Sequence, residues 1–546
     1  MKKNLFIVSG ICIAMLLASS CKKEFLTEKV YSALAPETLG DSLGVDASVI
    51  GLYNHLSTFF SYSDQQGWPS VWHAGTDVAF VPPSQRQGIE VPYYDYTQLI
   101  STDGAASYSW GWGYRMINNA NIIIKNVDNG SGLGSVTQTG KNRLSAEARF
   151  FRGYAYNVLA TLFGKVPLVT APITAGKTDF VRASLDEVNN LIVSDLTFAV
   201  ANLPDAGAFG SRNNGDGKPT ARANKWQAAQ LLAEVYLRAG KNDLAEQQAA
   251  SIISSGRYAL SNARYGVRSG QPGDAFSDMF IYGNQRRYQG NREAIWVMEQ
   301  ENPTSLPGGI TNNPQQRRNW GAAYYQINSP DGKPMVLSDS LGGRGVGRMR
   351  LTDWVVYGLY DNNDMRNSQY NIRRKYYYNN PASTSYGQLI PYVGADTLFK
   401  IAPNTTKWYQ FDPKDEFGFA MIKDFILMRL GETYLLQAEA QFRQGKLAEA
   451  ATSINALRTR AGAAQVTAAQ INLDFILDER ARELLAEENR RMTLMRTGTL
   501  VARTTAYNRQ TINPVLGLTS KNLLLPIPKS EIDLNKDAVL EQNPGY

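Results

Sequence analysis

Residues 473–498 read LDFILDERARELLAEENRRMTLMRTG. Leu477, Ala481, Leu484, Leu485, Met492 and Met495 fall at offsets of 0, 4, 7, 8, 15 and 18. That spacing is one stripe of an α-helix, repeating near 3.6 residues. Glu488, at offset 11, interrupts the stripe, and the other face carries Glu479, Arg482, Glu483, Arg490 and Arg496. By themselves these residues describe an amphipathic core helix with ion pairs along its charged face. Gly498 follows the last apolar residue as a C-cap, where a residue without Cβ takes the left-handed conformation.

Outward from this stretch, further helices are predicted over 46–56, 107–127 and 145–163, the last stopped by Gly164 and Pro167. Ser184-Leu185-Asp186-Glu187 is a capping box that starts a helix running to about Asn202. Two pieces match each other. Ala233-Glu234, Gly240-Lys241 and Leu244-Ala245-Glu246 correspond to Ala438-Glu439, Gly445-Lys446 and Leu447-Ala448-Glu449. Small residues at a helix crossing followed by a Gly turn predict a tetratricopeptide-like helical hairpin, present twice rather than as a tandem array. Between the copies, residues 261–420 are rich in Gly, Asn, Pro and Arg and poor in helical pattern, with 24 aromatic residues among them. A helical scaffold does not need so many rings there, which points to a binding surface. Residues 499–546 are expected to cross the scaffold as a mostly extended tail.

The composition is 43% hydrophobic and 19% charged, that of a folded chain. The formal charge is +7, and no run of five or six Lys/Arg occurs, so nucleic acid is not an expected partner. Two cysteines, Cys12 and Cys21, and two histidines, His55 and His73, cannot build an all-protein His/Cys zinc site once Cys12 leaves with a leader. A Ser-His-Asp triad would need His55 or His73 as its base. The leader itself is legible. Lys2-Lys3 precede an apolar stretch of 13 residues, 5–17, too short for a ~20-residue membrane span. Ala18-Ser19-Ser20-Cys21 follows and resembles a bacterial lipobox, so Cys21 is the expected acylated N-terminus. Acyl chains hold such a protein at a membrane at ~0.8 kcal/mol per buried CH₂.

Glu479-Arg480-Ala481-Arg482-Glu483-Leu484, then Glu487, Asn489-Arg490, Leu494 and Arg496-Thr497-Gly498, resembles the C-terminal signature of the SusD/RagB family of nutrient-binding outer-membrane lipoproteins. The closing Leu523-Leu524-Leu525-Pro526-Ile527-Pro528 and Gln542-Asn543-Pro544-Gly545-Tyr546 are similar to the family's last motif, and Gly75-Thr76-Asp77 to a short one before a variable loop. Glu488 stands where the family usually has Gly, Arg491 where it has an aromatic, and Thr493 where it has Asp. The resemblance implies a mainly α fold: a tetratricopeptide-like helical-hairpin scaffold with a large irregular, loop-rich insertion. Its parts would be a signal peptide at 1–20, a lipidated tether at 21–40, and one SusD-like domain at 41–546. That domain divides into a helical part at 41–260 with a variable loop at 78–104, the insertion at 261–420, and a helical part and tail at 421–546.

The resemblance also implies a function. Such a protein would capture an oligomeric nutrient, a glycan in first place, and hand it to a SusC-like TonB-dependent outer-membrane transporter without changing a bond. It would sit lipid-anchored on the cell surface. Sugar C–H groups stack on ring faces while Asn, Gln and Arg bond hydroxyls. The favoured ligand-binding residues are therefore Phe80, Tyr93, Tyr94 and Tyr96 in the first loop, and Arg317, Trp320, Tyr324 and Tyr325 in the insertion. No cofactor is expected; backbone carbonyls and scattered Asp and Asn leave a structural calcium open. Two other readings stand beside this one. A glycoside hydrolase needs two carboxylates held about 5–10 Å apart, and no acidic pair sits in a recognisable motif. A peptide- or protein-binding helical adaptor fits the hairpins but does not require the leader or the aromatic insertion.

Overall fold

The computed structural model describes residues 41–60, 68–85, 88–130, 133–207, 222–301, 314–393, 400–410 and 421–546. The leader, Cys21 and the tether at 21–40 lie outside these residues. Six long helices come first: α1 (Ser42–Thr58), α2 (Gly104–Asn129), α3 (Gln138–Phe163), α4 (Leu185–Asn202), α5 (Lys225–Arg238) and α6 (Asn242–Ser254). Their ends are set by local chemistry. Asp103 caps α2 by accepting from Ala106 N at 2.7 Å, and Gly130 closes it with φ 65°. The capping box of α4 is complete: Ser184 Oγ accepts from Glu187 N, and Glu187 accepts from Ser184 N at 2.8 Å.

After α6 the chain leaves the helical layer. The insertion consists of short turns and takes part in three two-stranded ribbons, one within it, β4 (Ile372–Arg373) with β5 (Asn404–Thr405), and two that tie it to its flanks, β1 (Ala79–Phe80) with β3 (Arg350–Leu351) and β2 (Ala294–Met298) with β6 (Phe425–Arg429). All three are antiparallel. The strand β6 runs straight into α7 (Leu430–Arg443), followed by α8 (Leu447–Ala461), α9 (Leu473–Leu484), α10 (Arg490–Arg496) and α11 (Leu500–Tyr507).

Consecutive helices pack on one another, and α7 returns to lie against α6. The two matching hairpins, α5/α6 and α7/α8, are therefore neighbours in space although far apart in sequence. Ala233 and Ala438 are fully buried at the crossings, and Gly240 and Gly445 make the turns with φ 72° and 76°. Glu246 joins the pairs, accepting from Gln441, Gln444 and Lys446 at 3.1, 2.9 and 2.6 Å. A continuous core extends from Val45 in α1 to Leu540 in the tail.

Two expectations need correcting. Residues 473–498 are not one helix. The chain turns at 485–489, where Ala486 takes φ 61°, and α10 restarts with Asn489 as its cap, accepting from Met492 N at 3.1 Å. The interrupting Glu488 sits in this turn. The tail is also less extended than expected, since it contains α11 and a short helix at Lys529–Leu534. It crosses the scaffold by Leu525 N donating to Leu162 O at 2.7 Å and Asn543 Nδ2 donating to Phe163 O at 3.0 Å.

Candidate functional site

The charged face of α9 is buried, not solvated. Glu479 and Glu483 have no accessible side-chain surface. Glu483 is met by three guanidinia: Arg366 at 2.9 Å, Arg429 at 2.5 Å, and Arg460. Glu479 pairs with Arg366, Arg458 and Arg482 at 2.8, 3.0 and 2.9 Å. Glu293, at the edge of β2, closes the cluster on Arg429 and Arg460 at 3.2 and 2.6 Å. Burial opposes each charge, yet Arg460, Arg429 and Arg366 hold the Glu483 carboxyl well below the usual range. In α7, burial is likewise overcome by Arg496 and Arg443, which bring Glu439 down to about 2. Charges this deep persist only when fully paired. The cluster pins α9 to the insertion, β6 and α8.

Beside this cluster, a cavity of about 150 Å³ opens between α3, α5, β6, α7 and the 485–489 turn. Its walls include Phe60, Tyr154, Trp320, Phe425 and Met492, with Glu234, Glu432 and Glu488 among its polar groups. Sites for drug-sized ligands run to ~300–1,000 Å³, so this one suits a single ring of a ligand rather than a whole oligomer. Five buried polar atoms of the wall lack a hydrogen-bond partner among the described residues: Trp72 Nε1, His73 Nδ1, Gln316 Oε1, Arg480 Nη1 and Asn489 Nδ2. Buried polar groups are rarely left so. They comprise ring, guanidinium and amide N–H donors and a carbonyl acceptor beside an imidazole nitrogen, a set that hydroxyl groups complement. Burial pushes His73 down to about 4, against Glu488 and with Arg490 and Arg491, so its ring is neutral at pH 7. Trp320 meets that ring edge-on at 5.3 Å between centroids.

Two family models match this chain: the SusD family over residues 293–546 and a family described as starch-binding associating with outer membrane over residues 28–237. The chain belongs to the SusD/RagB family. A SusD-like protein, P25 of Formosa agariphila, is 25% identical, the match covering 99% of each chain. A SusD homolog from Bacteroides thetaiotaomicron superposes with a TM-score of 0.69 at 20% identity, over 93% of this chain and 97% of the other. Surface glycan-binding protein A of the same organism, solved with laminarihexaose, gives 0.67 at 18% identity, over 92% and 99%. These similarities establish a shared mainly α fold.

The SusD/RagB signature is thus a structural device in this chain. Its Glu and Arg residues make the buried cluster, and the Asp of Gly75-Thr76-Asp77 is part of the same architecture. Asp77 accepts from Arg490 at 2.9 and 2.6 Å and from Arg503 at 2.8 Å, tying the first loop to α10 and α11. The departures from the family pattern are accommodated together. Glu488 accepts from Arg480 at 2.7 Å and from Thr493 Oγ1 at 2.9 Å, so a carboxylate reaches position 493 from five residues earlier.

Arg491 decides the fate of the first-loop rings. Its guanidinium donates to Val71 O at 2.8 Å, to Tyr93 O at 3.0 Å and to Tyr96 Oη, and lies 4.8 Å from the centre of the Tyr93 ring. Tyr93 and Tyr96 are consequently packed inside, Tyr94 is buried against Ala74 and Val81, and Phe80 is buried on β1. The described part of the variable loop at 78–104 is a series of tight turns wrapped on a guanidinium.

In the insertion, Tyr324 stacks on Tyr376 at 5.7 Å, with the half-buried Tyr325 edge-on to it at 6.0 Å. Arg317 is buried on the short helix Gln316–Trp320. Of the eight ring and arginine candidates, Trp320 is the one that lines the cavity. Phe60, Tyr154 and Met492 line it too, and no local motif marked them. Among the described residues, no group of three or more His, Cys, Asp or Glu is placed to hold a metal ion.

Proposed function

We propose that this protein is a non-catalytic, lipid-anchored component of the outer-membrane surface that binds an oligosaccharide and delivers it to a SusC-like TonB-dependent transporter. The observation that carries the binding reading is the cavity, with aromatic walls and unpartnered polar atoms that sugar hydroxyls would satisfy. Relatives described as laminarin-binding, starch-binding and crystallised with laminarihexaose support a glycan as the ligand class. The family description of outer-membrane association supports the location, and the lipobox-like Ala18-Ser19-Ser20-Cys21 supports the anchor.

The hydrolase alternative rests on Glu432 and Glu488, two cavity carboxylates driven apart in acidity. Burial raises Glu432, reinforced by Glu234 and Glu488 against Arg480. Burial is overcome at Glu488 by Arg480 and Arg490, which lower it. Such a split is what glycosidases use. Here one guanidinium, Arg480, spans both carboxylates at 2.9 and 2.7 Å, which leaves neither poised to give or take a proton at a glycosidic oxygen. Incubation with a neutral polysaccharide panel should release no new reducing ends; sustained release that is lost in Glu432→Gln would replace the binding reading with the enzyme.

The binding test fills the cavity. Met492→Trp places an indole where the half-buried thioether stands, and binding to the polysaccharide recognised by the wild type should weaken by about ten-fold at an unchanged unfolding midpoint. Undiminished affinity would take the cavity out of the site. Delivery is tested separately, by affinity purification of tagged protein from native membranes in mild detergent. A co-purifying TonB-dependent barrel is expected, and recovery of the acylated protein alone would remove the lid role.

A further inference from the structure

The two matching hairpins carry a carboxylate at the same place, and the fold treats the two differently. Glu234 and Glu439 follow the buried Ala233 and Ala438, and each has an arginine four residues later, Arg238 and Arg443. At that spacing the two side chains are neighbours on a helix face. In the second copy Glu439 is fully answered: Arg443 pairs with it at 2.9 Å, and Arg496 meets both its oxygens at 2.8 and 2.7 Å. In the first copy the pair is parted. Asn157 of α3 stands between the partners, its Oδ1 accepting from Arg238 and its Nδ2 donating to Glu234 Oε1 at 3.2 Å. Arg238 donates further to Asn189 Oδ1 at 3.0 Å and Thr161 Oγ1 at 3.1 Å, and it is not part of the cavity wall. Glu234 is part of that wall, and among the described residues it takes part in no ion pair.

This makes Glu234 an exception in its surroundings. The other cavity carboxylates have their cations: Arg480 pairs with Glu432 at 2.9 Å and Glu488 at 2.7 Å, and Arg429 with Glu487 at 2.7 Å. A half-buried carboxylate left with one amide bond is costly unless something brings the missing positive charge. Its neighbours define the space around it. Gln230, one turn before Glu234 on α5, donates to Glu432 Oε2 at 2.8 Å. Tyr154, three residues before Asn157 and so on the same face of α3, is half-buried and held edge-on by Trp296 at 5.6 Å between centroids. Tyr154, Gln230, Glu234 and Glu432 all line the one cavity.

The chemistry selects the occupant. A carboxylate beside aromatic rings attracts an organic cation, and a primary ammonium brings three donors with no acceptor. Gln316 Oε1 is an unpartnered acceptor of the same wall. A metal ion is not matched, because among the described residues no group of three or more His, Cys, Asp or Glu is placed to hold one. The volume of about 150 Å³ takes a single ring. The unpartnered donors Trp72 Nε1 and Asn489 Nδ2 call for hydroxyl oxygens on that same ligand. A lysine side chain would answer the carboxylate and leave those donors unpaired.

We propose that the unit received by the cavity is an amino sugar, its protonated amine paired with Glu234 beside Tyr154 and its hydroxyls bonded to the ring and amide donors of the wall. The proposal rests on the glycan-binding reading above and narrows its ligand class.

Ligand-observed NMR titration of the mature protein at pH 6, where a sugar amine is protonated, tests it. The probes are D-glucosamine and D-galactosamine, their N-acetyl forms, D-glucose and D-galactose, and Nα-acetyl-lysine methylamide. At least one amino sugar should bind about ten-fold more tightly than its N-acetyl and hydroxyl counterparts, the effect of one charge-assisted bond. Glu234→Gln keeps the shape and an acceptor for Asn157, and should bring that ratio close to one at the wild-type unfolding midpoint. Met492→Trp, which fills the cavity, should abolish the preference as well. Neutral sugars bound by the wild type as tightly as the amino sugars would overturn the amine assignment and leave the glycan reading standing. A preference that survives either substitution would place the ammonium elsewhere and overturn the assignment too. Tighter binding of the blocked lysine than of either amino sugar would put a peptide in the cavity and overturn the sugar altogether. A wild type that binds none of the probes would overturn the proposal and the cavity as a sugar site together.

Discussion

Replacing Glu483 by Gln removes one buried negative charge and almost no volume. In the wild type this carboxylate is shared by Arg366, Arg429 and Arg460 with no exposed surface on any of them beyond a few per cent. Removing one partner of a buried pair costs about 3–5 kcal/mol, because the remaining charges stay desolvated. None of the three arginines would be wholly orphaned. Arg366 keeps Asp364 at 2.7 Å and Glu479 at 2.8 Å, Arg429 keeps Glu487 at 2.7 Å and Glu293, and Arg460 keeps Glu293 at 2.6 Å. That argues for the lower part of the range, about 3 kcal/mol. The sign with pH follows from the direction of the shift. Glu483 is depressed in the folded state, so its stabilisation is complete above the unfolded carboxylate value and is lost only as pH falls through the folded one. The gap between wild type and variant should therefore be constant from pH 6 to 8. Chemical denaturation at pH 7 measures it, with Asp533→Asn as control; Asp533 pairs with Lys529 on the surface, where such pairs contribute ~0–1 kcal/mol. A Glu483→Gln variant within about 1 kcal/mol of wild type, or no worse than the control, would refute the claim that the signature carboxylates hold the fold.

Three further outcomes are expected. His73, whose ring burial pushes down to about 4, makes the folded state resist protonation. The unfolded state binds the extra proton between about pH 6.5 and 4, and stability falls with pH across that window. His73→Gln should remove about 3 kcal/mol of that acid loss, read from denaturation midpoints at pH 7 and 4.5; an unchanged slope would mean that His73 is not neutral in the fold. Glu299 moves the other way: burial, with Asp424 and Glu301 against Arg286, raises it to about 7. Its folded state binds more protons between the usual carboxylate value and 7, so stability falls as pH rises through that window. Glu299→Gln should then be more stable than wild type at pH 8, by about 3 kcal/mol, and nearly equal to it at pH 4.5; equal stability at both would remove the shift. Gly75 has φ +64°, and a Cβ there would lie 2.0 Å from Tyr93 O, the carbonyl that Arg491 holds. Gly75→Ala should destabilise by about 1–3 kcal/mol, and a neutral result in thermal unfolding would show that the first loop gives way.

Helix positions were legible in the sequence because the forces that set them are local. The capping box at Ser184, the Gly turns at Gly240 and Gly445 and the 3.6-residue stripes are decided within a few residues, and the structure has helices at each. The kinship signalled by Glu479 to Gly498 was legible for the same reason, since a motif is a local pattern. The site was not. Trp320 was marked by its surroundings, but Phe60 and Tyr154 join it from elements that nothing in their own neighbourhoods distinguishes from ordinary core, and Met492 read as one more residue of an apolar stripe.

Tertiary structure decided the environment of every charge and ring. The charges on α9 looked like a solvated face, because a Glu/Arg pattern at helical spacing is the same whether its partners are water or other guanidinia. Arg366 and Arg429 make it a buried cluster, and they stand 117 and 54 positions from Glu483. Tyr93 and Tyr96 looked like loop aromatics until Arg491, nearly 400 positions later, took their carbonyl and hydroxyl. Tyr376-Tyr377-Tyr378 is one run of rings in the sequence, yet alternation across a hairpin buries the outer two and turns Tyr377 to solvent. Residue type and local spacing set what each segment becomes; which face is desolvated depends on what long-range packing brings against it, and that desolvation sets the energies of charges and rings alike.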